Sequence, residues 1–291
     1  MNKLRHLFST VLAILLLVPA HAADKVRVQL KWLHQFQFAG YYAAIEKGYY
    51  RDAGLDVTLI EGAPGVDPAK VVLNGSAEFG VGTPELVLER AAGAPIVVLG
   101  VIFQHSPYVF LALEGTGITD VAALAGKRVM IEPQAAELYA YLLHEGVNRG
   151  AVQIVPHTFS VQDLADGKVA AMSGYSTDEP FTLQSQHRRY LAFTPRAGGV
   201  DFYGDCFFTT EAQIHDHPAR VRAFREATLK GWDYALKHPE EIIDLLVAKY
   251  HSRKSREALQ FEAAQMRELM HPEIIPVGYM YAGRWKHIAD T

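Results

Sequence analysis

Residues 26–60 read VRVQLKWLHQFQFAGYYAAIEKGYYRDAGLDVTLI. The alternation of apolar and polar residues from Val26 to Leu30 predicts a β-strand, and the stretch from Tyr41 to Tyr49 predicts a helix. Gly54-Leu55 then turns the chain into a second strand, which we expect at Asp56 to Ile60. A helix between two strands lets them run parallel in one sheet, so this stretch predicts an α/β fold with a mainly parallel sheet.

The same alternation of short strands and helices continues along the chain and divides into two parts. Buried strands are expected at 79–82, 96–103 and 108–113, and a second α/β segment begins at Gly115. Three predicted helices follow near the end, at 218–237, 239–250 and 255–270.

One half-sized α/β unit therefore interrupts the other, which predicts two lobes. We expect residues 23–112 and 204–291 to form the first lobe and residues 113–203 to form an inserted second lobe. The chain would cross near 111–115 and return near 199–207. Composition alone is equally compatible with a single doubly wound domain.

The first 22 residues have the three parts of a secretory signal peptide. A short positive region is followed by an almost wholly apolar run at 7–18, and Ala20-His21-Ala22 gives the small-x-small pattern of a cleavage site. The apolar run is shorter than the roughly 20 residues that a membrane-spanning helix needs, and polar Asp24 and Lys25 follow it. We expect cleavage near Ala22 and a soluble protein exported to the periplasm.

The composition excludes several classes of protein. The chain is 49% hydrophobic and 21% charged, which is typical of a folded chain and not of a disordered one. Its formal net charge of -4 gives no electrostatic reason to expect nucleic acid or an anionic membrane as a partner. Its single cysteine, Cys206, excludes an internal disulfide, so packing alone must stabilise the exported fold.

Residues 31–50, KWLHQFQFAGYYAAIEKGYY, and the following Gly54-Leu55-Asp56-Val57 resemble the solute-binding proteins that take up thiamine pyrimidine precursors. That family is related to the aliphatic sulfonate and nitrate binders of ABC importers. The resemblance continues through GVGTPE, GKRV, DEPF and DFYGD, at 80–85, 126–129, 178–181 and 201–205. It implies a type 2 periplasmic binding protein fold with two α/β lobes joined by two crossing strands. It also implies a small-molecule ligand in the cleft, an ABC permease as partner, and no cofactor.

The stretches QFQFAGYY and FQHSP, at 35–42 and 103–107, also resemble extracytoplasmic sensor domains of histidine kinases and diguanylate cyclases. A ligand-sensing module therefore stands as the alternative to an importer component. Both would need the same cleft and the same closing motion.

Candidate ligand contacts follow the first strand, at the carboxyl end where open α/β sheets place ligands. Trp32, His34 and Gln35 combine a flat aromatic ring with an imidazole and an amide, which suits a planar heteroaromatic ligand. Tyr41, at the start of the predicted helix, is a further candidate. The alternative for such residues is burial in the core, with the histidine satisfied by neighbouring polar groups.

Thr83-Pro84-Glu85 opens a predicted helix, and free amides at a helix start can bind an anion. The Glu85 carboxylate would repel a sulfonate or nitrate there, which favours a neutral or cationic ligand. The alternative is that Glu85 is an ordinary helix-start charge facing solvent.

The second lobe contributes Tyr175 and Glu179, which follow a predicted buried strand. A carboxylate can accept two hydrogen bonds from an amidine-like N–C–NH2 edge, and Tyr175 could stack on the same ring. Asp178 is expected to be a turn former. Tyr203 and Asp205, on the return crossing, suit either a hinge role or ligand contact, and Gln104 is a weaker candidate.

An enzyme is the main competing class of function. The chain contains no HExxH, CxxC, GxSxG or phosphate-binding loop, and GVGTPE lacks the third glycine of a dinucleotide site. The resemblance also extends to fungal thiamine-pyrimidine synthases, which share this fold and need a cysteine-rich segment that this chain lacks. We therefore predict a binding protein without catalytic residues, metal or cofactor, whose ligand is an aminopyrimidine, with sulfonates and riboflavin-like rings left open.

Overall fold

A computed structural model describes residues 23–291, so the predicted signal peptide at 1–22 lies outside the described residues. Ten strands fall within this range. In chain order β1 to β10 they are Asp24–Gln29, Leu55–Ile60, Phe79–Gly82, Ile96–Val101, Tyr108–Leu113, Arg128–Met130, Gln153–Val155, Ala171–Tyr175, Tyr190–Phe193 and Cys206–Thr210.

The strands form two five-stranded sheets with the orders β2-β1-β3-β10-β4 and β7-β6-β8-β5-β9. The central strand pairs β1–β2, β1–β3, β6–β7 and β6–β8 are parallel. In each sheet one strand that follows a crossing is antiparallel to its neighbours, β10 in the first and β5 in the second. The predicted α/β fold is confirmed, and each sheet is mixed, with two parallel and two antiparallel strand pairs.

Twelve α-helices cover the sheets in the described part of the chain. In order α1 to α12 they are Ala39–Glu46, Tyr49–Asp52, Pro68–Leu73, Leu86–Ala91, Ala136–His144, Val161–Ala165, Glu179–Ser185, Glu211–Asp216, Pro218–Lys237, Pro239–Ala248, Arg256–Met270 and Ala282–Asp290. Short 3-10 turns lie at Phe36–Phe38, Ala122–Leu124, Arg149–Ala151 and Pro195–Gly198. None of the described helices has the combination of length and apolar composition that crossing a membrane requires.

The helix predicted at 41–49 is divided into α1 and α2. Gly48 takes the left-handed conformation, with φ +73°, and this ends α1 before Tyr49 starts α2. The long helix α9 packs along α1, and its Trp232 is fully buried against the first sheet's core. Residues 271–281 are irregular, and the last helix, α12, begins at Ala282.

Residues 23–101 and 206–270 surround the first sheet and are called the first lobe, and residues 108–193 surround the second sheet and are called the second lobe. We predicted the outward crossing near 111–115, but residues 108–113 are strand β5 of the second sheet. The crossing therefore lies at 102–107, because β5 pairs antiparallel with both β8 and β9. The return crossing is residues 194–205.

The two crossing segments are bonded to each other. The amide of Ile102 donates to the carbonyl of Asp205 at 2.7 Å, Gly204 donates to Phe103 at 2.9 Å, and Ser106 donates to Phe202 at 3.0 Å. The predicted hinge of two crossing segments is therefore a short antiparallel pair at the centre of the molecule.

The C-terminal segment, residues 271–291, lies against this hinge. The amide of Gly278 donates to the carbonyl of Val101 at 2.9 Å, and the Arg284 guanidinium pairs with Asp201 at 3.0 Å. Arg284 also lies over the ring of Tyr203, 4.4 Å from its centre. The segment thereby ties the end of the chain to both crossings.

Candidate ligand-binding site

A cavity lies between the two lobes where strands of both sheets end. β1 and β3 lead into it from the first lobe and β6 and β8 lead into it from the second. It contains about 960 Å³ of space not filled by atoms, part of it open to solvent. Its lining consists of Lys31, Trp32, Gln35, Gln37, residues 63–69, Gly82, Thr83, Glu85, Leu86, Glu89, Tyr108, residues 132–134, Phe159, Tyr175, Asp178 and Glu179.

The base of the cavity carries a hydrogen-bonded chain that joins the lobes. The Lys31 ammonium, directly after β1, donates to the hydroxyl of Tyr175, and that hydroxyl donates to Asp205 Oδ1 at 3.0 Å. Lys31 Nζ is also 3.6 Å from Asp205 Oδ1 and 4.4 Å from the ring centre of Tyr175. Gln37 donates to the other Asp205 oxygen at 2.5 Å. The nearly fully buried Asp205 carboxylate is thus held by three groups at the hinge.

Aromatic rings form two walls of the cavity. Trp32 of the first lobe and Phe159 of the second have ring centres 4.7 Å apart, and Tyr108 and Tyr175 lie perpendicular at 4.9 Å. Gly62 lets the chain pass against the backbone at Trp32, because a Cβ there would lie 2.4 Å from the Trp32 amide nitrogen. Flat apolar surfaces from both lobes therefore face the same space.

Two carboxyl groups of the second lobe line the cavity beside these rings. Burial and the neighbouring Asp178 and Glu132 charges raise the pKa of Glu179 to about 8, although its Oε2 accepts from the Tyr175 amide at 2.7 Å. Burial likewise raises the pKa of Glu132 to about 7, opposed by the positive charge of Lys31. Both groups therefore exchange a proton near neutral pH, which suits them to pair with a basic or amine-bearing ligand.

Gln35 and Gln37 are held in place from the opposite side by α11. The buried Glu262 carboxylate accepts from the backbone amides of Phe36 at 2.8 Å and Gln37 at 3.0 Å. The side-chain amide of Gln35 donates to Gln37 Oε1 at 2.7 Å, and Gln35 Oε1 is buried without a partner among the described residues. Gln35 therefore has an acceptor whose hydrogen-bonding capacity is unused in this part of the chain.

Thr83 and Glu85 connect the lobes. Glu85 Oε2 accepts from the Ala136 amide at 2.8 Å, so the first-lobe carboxylate caps the start of α5 in the second lobe. The Thr83 hydroxyl donates to the carbonyl of Gln134 at 3.4 Å. Burial raises the pKa of Glu85, and the bond from Ala136 opposes the rise. Of the two expectations for Glu85, the one that places it in solvent does not hold.

Two cavity residues have backbones in the left-handed region. Gln134 has φ +56° and Phe159 has φ +58°, a conformation that costs a non-glycine residue on the order of 1 kcal/mol or more. Both belong to second-lobe loops that contact first-lobe residues. Such strain is typical of binding loops whose geometry is fixed by their surroundings.

Six of the eleven predicted site residues line this cavity, and a seventh supports it through hydrogen bonds. The six are Trp32, Gln35, Thr83, Glu85, Tyr175 and Glu179, and the seventh is Asp205.

Four predicted contacts lie elsewhere, and each has its own partners. His34 Nδ1 is 2.7 Å from the Tyr42 hydroxyl, its ring packs edge-on against Tyr42 and Tyr250, and burial lowers its pKa. Tyr41 is fully buried in the first-lobe core near Trp232. Gln104 donates to the carbonyl of Tyr279 at 2.9 Å, and Tyr203 lies under Arg284, so both hold the C-terminal segment.

Sequence reasoning missed Lys31, Gln37, Tyr108, Glu132 and Phe159. Lys31 and Glu132 come directly after β1 and β6, and the rule that ligands bind at strand ends would have indicated both. Phe159 had no such signal, because its contact with Trp32 depends on how the lobes face each other. Among the described residues, no group of three or more His, Cys, Asp or Glu side chains is arranged to hold a metal ion.

The curated proteins that this chain resembles include both binding proteins and synthases. A formylaminopyrimidine-binding protein from Halalkalibacterium halodurans is 23% identical over 267 residues, covering 83% of this chain and 78% of that protein. The riboflavin-binding protein RibY from Chloroflexus aurantiacus is 26% identical over 230 residues, covering 76% and 65%. A 4-amino-5-hydroxymethyl-2-methylpyrimidine phosphate synthase from Candida albicans is 24% identical over 236 residues, covering 76% and 70%.

The same fold occurs in solved periplasmic binding proteins. The alkanesulfonate-binding protein SsuA from Xanthomonas axonopodis pv. citri superposes with a TM-score of 0.71 at 14% sequence identity, covering 91% of this chain and 90% of that one. At this identity the likeness concerns the two-lobed fold. The family model described as NMT1/THI5 like matches residues 35–242, a range that contains most of the cavity lining, and this chain belongs to that family.

Proposed function

We propose that this protein binds a thiamine-type aminopyrimidine between its lobes in the periplasm and delivers it to an ABC permease. The observation that carries the proposal is a single cavity in which aromatic rings of both lobes face two carboxyl groups that titrate near neutral pH. The family match and the formylaminopyrimidine-binding relative support the ligand class.

An aminopyrimidine matches the chemistry of this lining. Its flat ring can stack on the aromatic rings that line the cavity, among them Trp32 and Phe159, and its N–C–NH2 edge presents one donor and one acceptor. A protonated Glu179 can donate to the ring nitrogen while its other oxygen accepts from the amine, and an ionised Glu179 can pair with the protonated ring. The free Gln35 Oε1 can accept from a second N–H group.

The charges of the lining disfavour a sulfonate or nitrate. Six acidic side chains line the cavity against one ammonium, that of Lys31, and this ammonium already pairs with Asp205. The acidic residues are Asp67, Glu85, Glu89, Glu132, Asp178 and Glu179. An anion would have to displace the Lys31 partner and approach several carboxylates, which costs free energy at each step.

Binding is proposed in preference to synthesis. The single cysteine, Cys206, is buried in β10 with its thiol 3.6 Å from the carbonyl of Gly82, and burial raises its pKa. A thiol in that setting is a poor nucleophile and a poor metal ligand. Cys206 does not line the cavity and none of the lining residues contains sulfur, so the chemistry of the site supports recognition of an amine and a ring.

Calorimetric titration of the purified protein tests the ligand class. The panel consists of 4-amino-5-hydroxymethyl-2-methylpyrimidine, its formylamino analogue, riboflavin, taurine and nitrate. We expect an aminopyrimidine to bind most tightly. Tighter binding of taurine or nitrate would contradict the proposal while leaving the fold unaffected.

The variant Glu179→Gln tests the role of the carboxyl. The amide oxygen of glutamine can still accept from the Tyr175 backbone, so the loop is retained while the titratable group is lost. We expect aminopyrimidine affinity to fall about tenfold to a hundredfold, corresponding to the roughly 1.5–3 kcal/mol of a charge-assisted hydrogen bond. Glu114→Gln is the matched control, because Glu114 is an exposed second-lobe residue whose carboxylate pairs with Arg189. This variant should bind the aminopyrimidine as tightly as the unaltered protein does.

A sensing module would use the same cavity, so genetic context separates the two roles. An importer component predicts permease and ATPase genes beside this one. A histidine kinase or diguanylate cyclase reading frame continuous with it would assign the site to sensing and contradict delivery to a permease.

A further inference from the structure

A second cavity lies on the hinge side of the ligand-binding site, between the lobes and the C-terminal helix. Leu88 of the first lobe, Glu137, Ala140 and Leu143 of α5, Phe202 of the return crossing and Ile288 of α12 line it. The space not filled by atoms is about 1190 Å³, part of it open to solvent. The proposed function does not use this space.

Glu137 is a buried acid on the wall of this cavity. Its side chain is 5% exposed, and its Oε1 has no hydrogen-bond partner within residues 23–291. Burial raises the pKa of Glu137 to about 8, with Ser106 and Arg284 opposing and Asp201 adding to the rise. An unpaired buried carboxyl oxygen costs free energy, and a native structure that keeps one has an acceptor available for a missing donor.

The rest of the lining is mainly apolar. Leu88 and Leu143 are 57% and 63% exposed although both are large hydrophobic residues, and they belong to opposite lobes. Ile288 closes the space from the C-terminal helix, and the Arg149 guanidinium at the rim is stacked on the Tyr139 ring at 4.6 Å. An occupant would therefore bury an apolar body against both lobes and present one polar group to Glu137.

We propose that this cavity is a second ligand site, which binds a small apolar amine whose ammonium group donates to Glu137 Oε1. A carboxyl in an apolar space is complementary to one cationic donor attached to a hydrocarbon body. The Glu85 carboxyl also lines the cavity and adds negative charge, although its Oε2 already accepts from the Ala136 amide.

The second cavity adjoins the first. Thr83, Glu85, Tyr108 and Gln134 line both cavities, and the Glu85–Ala136 and Thr83–Gln134 contacts lie on the boundary between them. Because Glu137 lines the second cavity and not the first, the inference does not depend on the aminopyrimidine assignment, and variants of each site distinguish the two.

Phenethylamine serves as the probe, and 2-phenylethanol is its uncharged match. Binding is measured by protein-observed NMR titration on the full chain. We expect phenethylamine to bind and 2-phenylethanol to bind at least tenfold more weakly. We expect Glu137→Gln to lower the affinity for phenethylamine at least tenfold. We expect the same loss for Ala140→Phe, because the larger side chain fills the cavity. Glu145→Gln, an exposed acid at the end of the same helix, should leave binding unchanged.

Phenethylamine binding that is insensitive to Glu137→Gln and Ala140→Phe but lost in Glu179→Gln would assign the probe to the first cavity and overturn the second site. Absence of binding would overturn it as well. Because Ala140→Phe and Glu137→Gln alter the site in different ways, a folding defect in one leaves the other as the test, with circular dichroism reporting the fold of each.

Discussion

At the scale of single residues, Lys31 connects the second lobe to the hinge. Its ammonium joins Tyr175 of the second lobe to Asp205 of the hinge, and its side chain is mostly buried. We expect Lys31→Met to lower the free energy of unfolding by about 1.5–3 kcal/mol, because the buried Asp205 carboxylate loses a charged partner. Urea unfolding measures the change, and Lys25→Met, an exposed lysine of β1, is the control. Equal stability of the two variants would contradict this role.

Glu137 makes the stability of the protein depend on pH. Its pKa rises from 4.5 to about 8 on folding, so the folded protein binds a proton that the unfolded chain releases. The resulting contribution to stability is complete below about pH 4.5 and is lost as pH rises towards about 8.

We therefore expect the melting temperature of the unaltered protein to fall, relative to that of Glu137→Gln, by several degrees between about pH 5 and about pH 9. Glu132 and Glu179 titrate in a similar range, but they are present in both proteins, so the difference isolates Glu137. If the melting temperatures of the two proteins changed with pH in the same way, the assignment to Glu137 would be contradicted.

Site residues could be predicted from the sequence where their position depends on the end of a strand. They could not be predicted where the direction of the side chain decides whether it faces the cavity. Trp32, Tyr175 and Glu179 follow strands β1 and β8, so their approximate position could be predicted. His34 lies only two residues from Trp32 in an irregular turn, where no period fixes its direction, and it packs against Tyr42. The contact of Trp32 with Phe159 depends on long-range geometry that spacing does not contain.

At the scale of elements, α7 of the second lobe and α11 of the first meet across the cleft. Lys254, just before α11, pairs with Asp178, just before α7, and the rings of Phe181 and Phe261 lie 5.6 Å apart. These contacts exist only while the lobes face each other closely. They form a latch that should prolong the bound state.

We expect Lys254→Met to speed aminopyrimidine dissociation about fivefold with a smaller effect on association, corresponding to about 1 kcal/mol for a partly exposed ion pair. Lys249→Met is the control, because Lys249 pairs with Glu46 within the first lobe. Stopped-flow measurements give both rates. Equal dissociation rates for the two variants would contradict a latch between α7 and α11.

The positions of helices and strands could be predicted from hydrophobic periodicity and from residues typical of helix ends. The distant side chains that hold these elements in place could not be predicted. An Asp-Pro pair is typical of a helix start, and the Asp67 side chain caps α3 by accepting from the backbone amides of Ala69 and Lys70. The 3-10 turn at Phe36–Phe38 was not predicted, because it depends on Glu262, more than 220 residues away, binding its amides. A buried carboxylate that accepts hydrogen bonds from a distant loop produces no recognisable pattern in the sequence around that loop.

At the scale of the whole molecule, the inserted second lobe was predictable and its first boundary was not. The alternation of strands and helices indicated two units. The sequence of β5 does not show which sheet the strand joins, because an apolar strand can be buried in either sheet. Its antiparallel pairing with β8 and β9 assigns it to the second lobe and moves the crossing to 102–107. The hinge is therefore the paired segments 102–107 and 194–205.

The central claim is that one small planar amine bridges the lobes, so that binding and closure are the same event. Contacts across the cleft, including Lys31–Tyr175, Glu85–Ala136 and Lys254–Asp178, describe the closed form. Small-angle scattering of the protein with and without saturating 4-amino-5-hydroxymethyl-2-methylpyrimidine tests the claim directly. We expect a smaller radius of gyration when the ligand is bound, whereas saturation without any change in the radius of gyration would contradict closure on binding.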